Sequence, residues 1–217
     1  MFNSLSQCLL KLTSPGVPDI YQGNELWQYN LVDPDNRRPV DYQRRQQLLE
    51  ELRNFPPQEL LTHVNSLTAN LDYGRAKLYL TWKTLSIRKS EPGLFRDGCY
   101  LPLDVSGEKA EHVVAYAREH AERTAIVVVP RLCATLLSEN DLQTVCDERA
   151  WGDTAVKISI RGATCYHNVF TAECMPPSCN ERGCFLKVAN VFRYFPVALL
   201  LNEPSPSSDR ACREDVP

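Results

Sequence analysis

The sequence predicts an α+β chain in which helices come first and an antiparallel β region follows. Apolar residues recur at three- and four-residue spacing as far as Leu85. After Gly98 the pattern changes to short β-branched or aromatic runs separated by turn residues. Between the first helix and the next lies a polar and aromatic stretch with neither period, TSPGVPDIYQGNELWQYNLVDPDNRRPVDY, spanning Thr13 to Tyr42.

Taken in order, Phe2, Leu5, Leu9 and Leu12 fall on one face of a helix of about three turns. Pro15 restricts Ser14 and removes a donor, so that helix stops at Ser14-Pro15-Gly16. Val17 to Gly23 is expected to be a short buried strand, since Ile20 and Tyr21 favour extended backbone. Asn24 to Asp41 is expected to be a long loop with a role of its own. Three helices should follow: one capped by Asp41 with Leu48, Leu49 and Leu52 inward, ending at Pro56-Pro57; one using Leu60, Leu61, Val64 and Leu67; and one from Gly74 with Leu78, Trp82 and Leu85 inward, broken at 90–93. Strands are expected at 112–118, at 124–129 closed by Pro130, along Val156, Ile158 and Ile160, and at 168–171, 185–189 and 197–201. Such short strands argue for a β-sandwich. The tail from Pro204, rich in Ser and Pro, is expected to be disordered.

A chain of 217 residues, 43% hydrophobic and 24% charged, can bury one large or two modest cores. The formal net charge is −3, and the arginines near the long loop are answered by nearby carboxylates, which excludes nucleic acid as a partner. No apolar run reaches the roughly 18 residues of a membrane span, and the N-terminal stretch lacks the basic region of a secretory signal. The expectation is a cytoplasmic protein with no membrane partner. Nine cysteines, an odd number without CxxC spacing, suit reduced thiols better than a disulfide framework. Cys174, Cys179 and Cys184, near His167, are spaced by five, which does not fit the short pairs of a structural zinc site, so no metal is expected. His63, His112 and His120 read as ordinary surface or packed residues. There is no GxGxxG, P-loop, GxSxG or HExxH, and no cofactor is implied.

The order Gly16-Val17-Pro18-Asp19-Ile20-Tyr21-Gln22-Gly23-Asn24-Glu25 resembles the eighth barrel strand of the α-amylase family of glycoside hydrolases, whose pattern there is Gly-x-Pro-x-Ile-Tyr-x-Gly-x-Glu. The flanking LLKLTSPGVPDIYQGNELW and LVDPDNRRPVDY, then DYGRAKLYLTWKTLSIRKSEPGLFRDGCYLPLDVSGEKAEHVVAYAR, VVVPRL, WGDT, NVFT and FPVALLL, are similar to the glucosylmutase branch of that family. The similarity covers most of 2–201, and it departs between Ile158 and Cys184, where CMPPSCNERGC has no counterpart in the family's pattern.

The resemblance implies that 1–42 is the last strand and flanking helix of a (β/α)8 barrel with the loop that follows. It implies a helical connection over 43–93, a C-terminal β-sandwich over 94–203 and a tail over 204–217. It further implies intramolecular transglucosylation, converting the reducing-end α-1,4 link of a maltooligosaccharide into an α-1,1 link through a covalent glycosyl intermediate. In that family three carboxylates do the chemistry from strands four, five and seven. All three are expected to lie outside this stretch, so no catalytic residue is assigned and the chain alone is expected to be inactive. Its partners would be the missing N-terminal barrel portion and the glucan.

Candidate sugar contacts are Asp33 and Arg37, spaced as in the family's Asp-Pro-x-x-Arg segment. A carboxylate and a guanidinium together can accept from and donate to vicinal hydroxyls, or equally can pin the loop as an ion pair. Arg38 joins them as a more structural candidate. Tyr21 and Trp27 can stack on a pyranose or fill the core, and Glu25 can bond a strand neighbour. The alternative function is a non-catalytic carbohydrate-binding or interaction module built on the sandwich.

Overall fold

The computed structural model describes residues 1–136, 144–159 and 164–203. Ile160 and the tail from Pro204 lie outside the described residues. Helix α1 (Phe2–Thr13) buries Phe2, Leu5, Leu9 and Leu12, the stripe expected from the sequence. Helix α2 (Tyr42–Arg53) begins at Asp41, whose carboxylate accepts from the Arg44 amide at 2.8 Å, and it buries Leu48 and Leu52. Helix α3 (Leu60–Ala69) turns Val64 and Leu67 inward. Helix α4 (Arg75–Ser90) buries a broader face than expected, Ala76 to Thr81 together with Thr84. Leu85, expected inward, is exposed instead, because that wide face is centred on Leu80 and Tyr79. A short helix α5 (Pro92–Arg96) ends this half.

Among the described residues ten strands follow: β1 (Cys99–Pro102), β2 (Val105–Ser106), β3 (Val113–His120), β4 (Arg123–Pro130), β5 (Ala155–Ile158), β6 (Tyr166–Asn168), β7 (Cys174–Met175), β8 (Ser178–Asn180), β9 (Gly183–Lys187) and β10 (Ala198–Asn202), with a single-turn helix α6 (Val188–Val191) after β9. They form two antiparallel sheets, ordered β1-β3-β4-β10-β6-β7 and β2-β5-β9-β8. The central ladder pairs Val113 with Pro130 through His120 with Arg123, and β10 lies along β4 with Leu199 opposite Val127. The alternation expected of β5 is present, with Val156 and Ile158 buried and Lys157 outside.

Helix α1 lies against β4, where Ser6 donates to the Pro130 carbonyl at 2.8 Å. Tyr79 of α4 donates to the Phe170 carbonyl at 2.6 Å. One continuous apolar cluster therefore runs from α1 and α4 into the sheets, with Tyr79, Phe170 and Phe195 in mutual ring contact.

Three expectations are corrected. Val17 to Gly23 is not a strand: it runs into a turn at Gln22 and Gly23, no strand pairs with it among the described residues, and Val17 is 97% exposed. Extended backbone becomes a strand only when a neighbour takes up its N–H and C=O groups. The strand expected at 168–171 ends at Asn168, whose carboxamide accepts from the Phe170 amide at 3.0 Å and turns the chain. Four of the cysteines, read as thiols from their spacing, are paired: Cys165 with Cys174 and Cys179 with Cys184. A separation of five spans a hairpin when the turn has two residues, and β8–β9 places Cys179 directly opposite Cys184. Cys8, Cys99, Cys133 and Cys146 are unpaired.

Candidate functional site

The segment that carries the sequence motif springs from a fixed point. The last carbonyls of α1 lack intrahelical donors, and two arginines supply them. Arg88 donates to the Leu12 carbonyl at 2.7 Å and Arg118 to that of Thr13 at 3.1 Å. Thr13 and Tyr116 share a hydroxyl–hydroxyl bond of 2.6 Å. From that anchor, Pro15 to Gln22 runs out largely into solvent, with Tyr21 52% exposed.

The loop that follows is closed at its neck by one side chain. Arg45 of α2 donates to the Gly23 carbonyl at 2.8 Å, to Glu25 at 3.2 Å and to the Asp41 carbonyl at 3.0 Å, so it ties the start of the loop to its end. A second tie is Trp27, whose indole N–H donates to the Leu71 carbonyl while the Lys77 amine sits 5.4 Å from its ring centroid. Lys77 also donates to Asn24 at 2.8 Å, and burial lowers its pKa below the usual lysine value. Gly74 makes this approach possible: a Cβ there would stand 2.7 Å from the Trp27 amide nitrogen, and its φ is +69°.

At the tip, Asp33–Arg37 forms a short 3-10 turn. Asp35 accepts from the amides of Leu31 and Val32 at 3.1 and 3.4 Å; those two bonds, with help from Arg38, hold its carboxyl below the ordinary aspartate value. Arg38 bonds Asp35 at 2.6 Å. Asp33 and Arg37 face each other at 2.9 Å with side chains about three-quarters exposed, alongside exposed Tyr29 and Leu31.

The six nominated residues therefore divide. Glu25, Trp27 and Arg38 spend their polar atoms on Arg45, the Leu71 carbonyl and Asp35, whereas Asp33 and Arg37 pair with each other at an exposed surface and Tyr21 is exposed. Sequence reasoning missed Arg45, Lys77 and Asn24. Arg45 lies twenty residues from Glu25 in a run of ordinary helix charges, and no local pattern marks it. The carboxyl groups of Asp35, Asp97 and Asp147 are all shifted downward, by backbone amides or an adjacent arginine, and all three are exposed or half-exposed. A general acid needs the opposite shift.

The mixed helical and antiparallel-sheet fold matches the C-terminal region of α-amylase-type enzymes. A maltogenic α-amylase from Thermotoga neapolitana superposes on 91% of this chain with a TM-score of 0.54 at 14% identity, a likeness of fold alone. More particularly, the chain is similar to maltooligosyl trehalose synthase. It is 40% identical over 116 residues to a putative maltooligosyl trehalose synthase of Mycobacterium tuberculosis, a match covering 54% of this chain and 12% of that protein. A mutant maltooligosyltrehalose synthase from Arthrobacter ramosus matches 93% of this chain at 32% identity and a TM-score of 0.69, and the match covers 22% of that enzyme. No family model matches the sequence. The chain thus corresponds to a minor part of the length of its relatives.

Proposed function

We propose that this chain supplies the strand-eight wall and C-terminal region of a cytoplasmic glucosylmutase that rearranges the reducing-end α-1,4 link of maltooligosaccharides to α-1,1. The similarity to maltooligosyl trehalose synthases across nearly the whole chain carries this reading. In it, Asp33 and Arg37 bond the hydroxyls of a glucose unit, Tyr21 lies against the sugar, and Glu25, Trp27 and Arg38 hold the loop in place. The nucleophile and acid come from barrel strands outside these 217 residues, and that barrel portion is the partner that docks on the unpaired 16–22 segment. Exposed Val17 and Tyr21 support the docking, because a barrel strand obtains its burial from neighbouring strands.

The test is an assay of the pure chain on maltopentaose, alone and mixed with an Arthrobacter enzyme truncated before the matching strand. Alone, no trehalose-ended product is expected; the mixture should form it. Product from the chain alone, or none from the mixture when both pieces are folded, overturns the proposal.

A further inference from the structure

A second candidate site lies on the outer face of the four-stranded sheet, away from the long loop. Register fixes what that face displays. Lys157 of β5 stands opposite Phe185 of β9, and both side chains lie on the side away from buried Val156 and Leu186. On β2 and the residue before it, Val105 turns inward, which sends Asp104 and Ser106 to the same outer face. With Asp153, Asn180 and Arg182 these side chains enclose a cavity of about 520 Å3. Glycine at 183 leaves room beside Lys157 and Phe185: a Cβ there would sit 3.3 Å from the Lys157 Cε, and the φ of +127° excludes most other residues.

The lining has an unusual balance. Phe185 is half-buried yet stands outside the core cluster, so its ring is not consumed by packing. It also lines a second cleft of about 320 Å3 with Pro176 and Ser178, so the ring borders two hollows. Two carboxylates, Asp104 and Asp153, face two cations, Lys157 and Arg182, so the formal charge of the cavity is zero. Asp153 is fixed by accepting from the Glu108 amide at 2.9 Å, and Asn180 by accepting from the Arg182 amide at 2.8 Å. Among the described residues, Asp104, Lys157 and Arg182 have no side-chain ion-pair partner. A neutral site would not concentrate an anion such as a phosphate. Donors and acceptors around an apolar ring suit a polyhydroxylated neutral ligand, whose C–H face rests on the ring while its hydroxyls both donate and accept.

From this geometry we infer a glucan-binding site, separate from the loop of Asp33 and Arg37, in which a linear α-1,4-linked chain crosses the Phe185 ring and places a sugar in each hollow. The choice of glucan rests on the function proposed above; the site itself rests on the sheet face alone. It would hold the polymer while its reducing end is processed elsewhere.

The test is calorimetric titration of the full 217-residue chain with maltoheptaose. Saturable binding is expected, weakened about tenfold or more by Phe185→Ala and kept by Phe185→Tyr. Should Phe185→Ala lose its near-ultraviolet circular dichroism, Asn180→Ala takes its place, with several-fold weakening expected. Absence of saturable binding by the parent chain overturns the site, as does undiminished binding by the variants at 185 and 180. Binding lost when Asp33 and Arg37 are both changed to Ala, but kept in the variants at 185 and 180, also overturns it, while leaving the proposed glucosylmutase role intact. Failure of the mixing assay with maltoheptaose binding retained would do the reverse.

Discussion

Arg118 shows how much one buried side chain can organise. It is 1% exposed, and its guanidinium donates to the carbonyls of Thr13, Phe95 and Gly98, at 3.1, 2.9 and 2.8 Å. These are the ends of α1 and α5, so one strand residue fastens two helix termini to the sheet. Burial lowers its pKa from the usual arginine value, but the group stays charged across the accessible range. Arg118→Met keeps the stem and strands three carbonyls. A loss of roughly 3–5 kcal/mol is expected, read as a fall of the denaturant midpoint at unchanged m-value. A shift below about 1 kcal/mol would mean that the carbonyls find other donors. Asp35 gives the pH-dependent counterpart. Its folded pKa lies below the unfolded 3.8, so its contribution to loop stability is present above 3.8 and is lost as pH falls through the lower folded value. The amide resonances of Leu31 and Val32 should therefore titrate together below pH 3.8, and titration above it would contradict the assignment.

At the scale of elements, the sequence was readable wherever one face was buried at a regular period. Helices α1, α2 and α3 and strand β5 turn inward residues that their spacing indicates, and β3 and β4, buried on both faces, lie where the β-branched and aromatic runs were expected. Strand β1 was not readable because all four of its residues are exposed, leaving no alternation. Within the run expected to be one strand at 185–189, β9 stops at Lys187 and α6 begins at Val188; a run this short does not separate the two states by period. In the long loop, the Asp33–Arg37 pairing was legible from its spacing, but the clamp by Arg45 was not, since it joins residues twenty apart. The paired cysteines are another case of tertiary placement overriding spacing. Closing the short loop between Cys179 and Cys184 should stabilise by about 2 kcal/mol through the unfolded chain. Cys179→Ser is accordingly expected to speed hydrogen exchange across β8 and β9 while leaving β3 and β4 protected. Mass mapping of unreduced protein should find 165 joined to 174 and 179 joined to 184; a different pairing would sink this reading.

For the whole molecule, the contrast between a single continuous core and one unsupported segment makes a definite prediction. The apolar cluster ties α1, α4 and both sheets together, whereas 15–22 pairs with no strand among the described residues and 28–34 is wholly exposed, with Val17, Tyr29 and Leu31 each more than four-fifths open to solvent. Backbone held by few long-range contacts opens at little cost, and proteases cut where local opening is cheapest. Brief chymotrypsin treatment of the isolated chain should therefore cleave after Tyr21 and Tyr29 before any site in α4, β3, β4 or β10. Because Arg88 and Arg118 fasten the end of α1, the 1–21 piece should stay associated with the remainder after cutting and separate only in denaturant. Adding the complementary barrel portion of a relative should then protect Tyr21, which lies in the proposed docking strand, more than Tyr29, which lies beyond the Arg45 clamp at its neck. Equal protection of both tyrosines would argue that the partner covers the whole loop and leaves no open rim for a sugar. No protection of either would remove the basis for docking at strand eight.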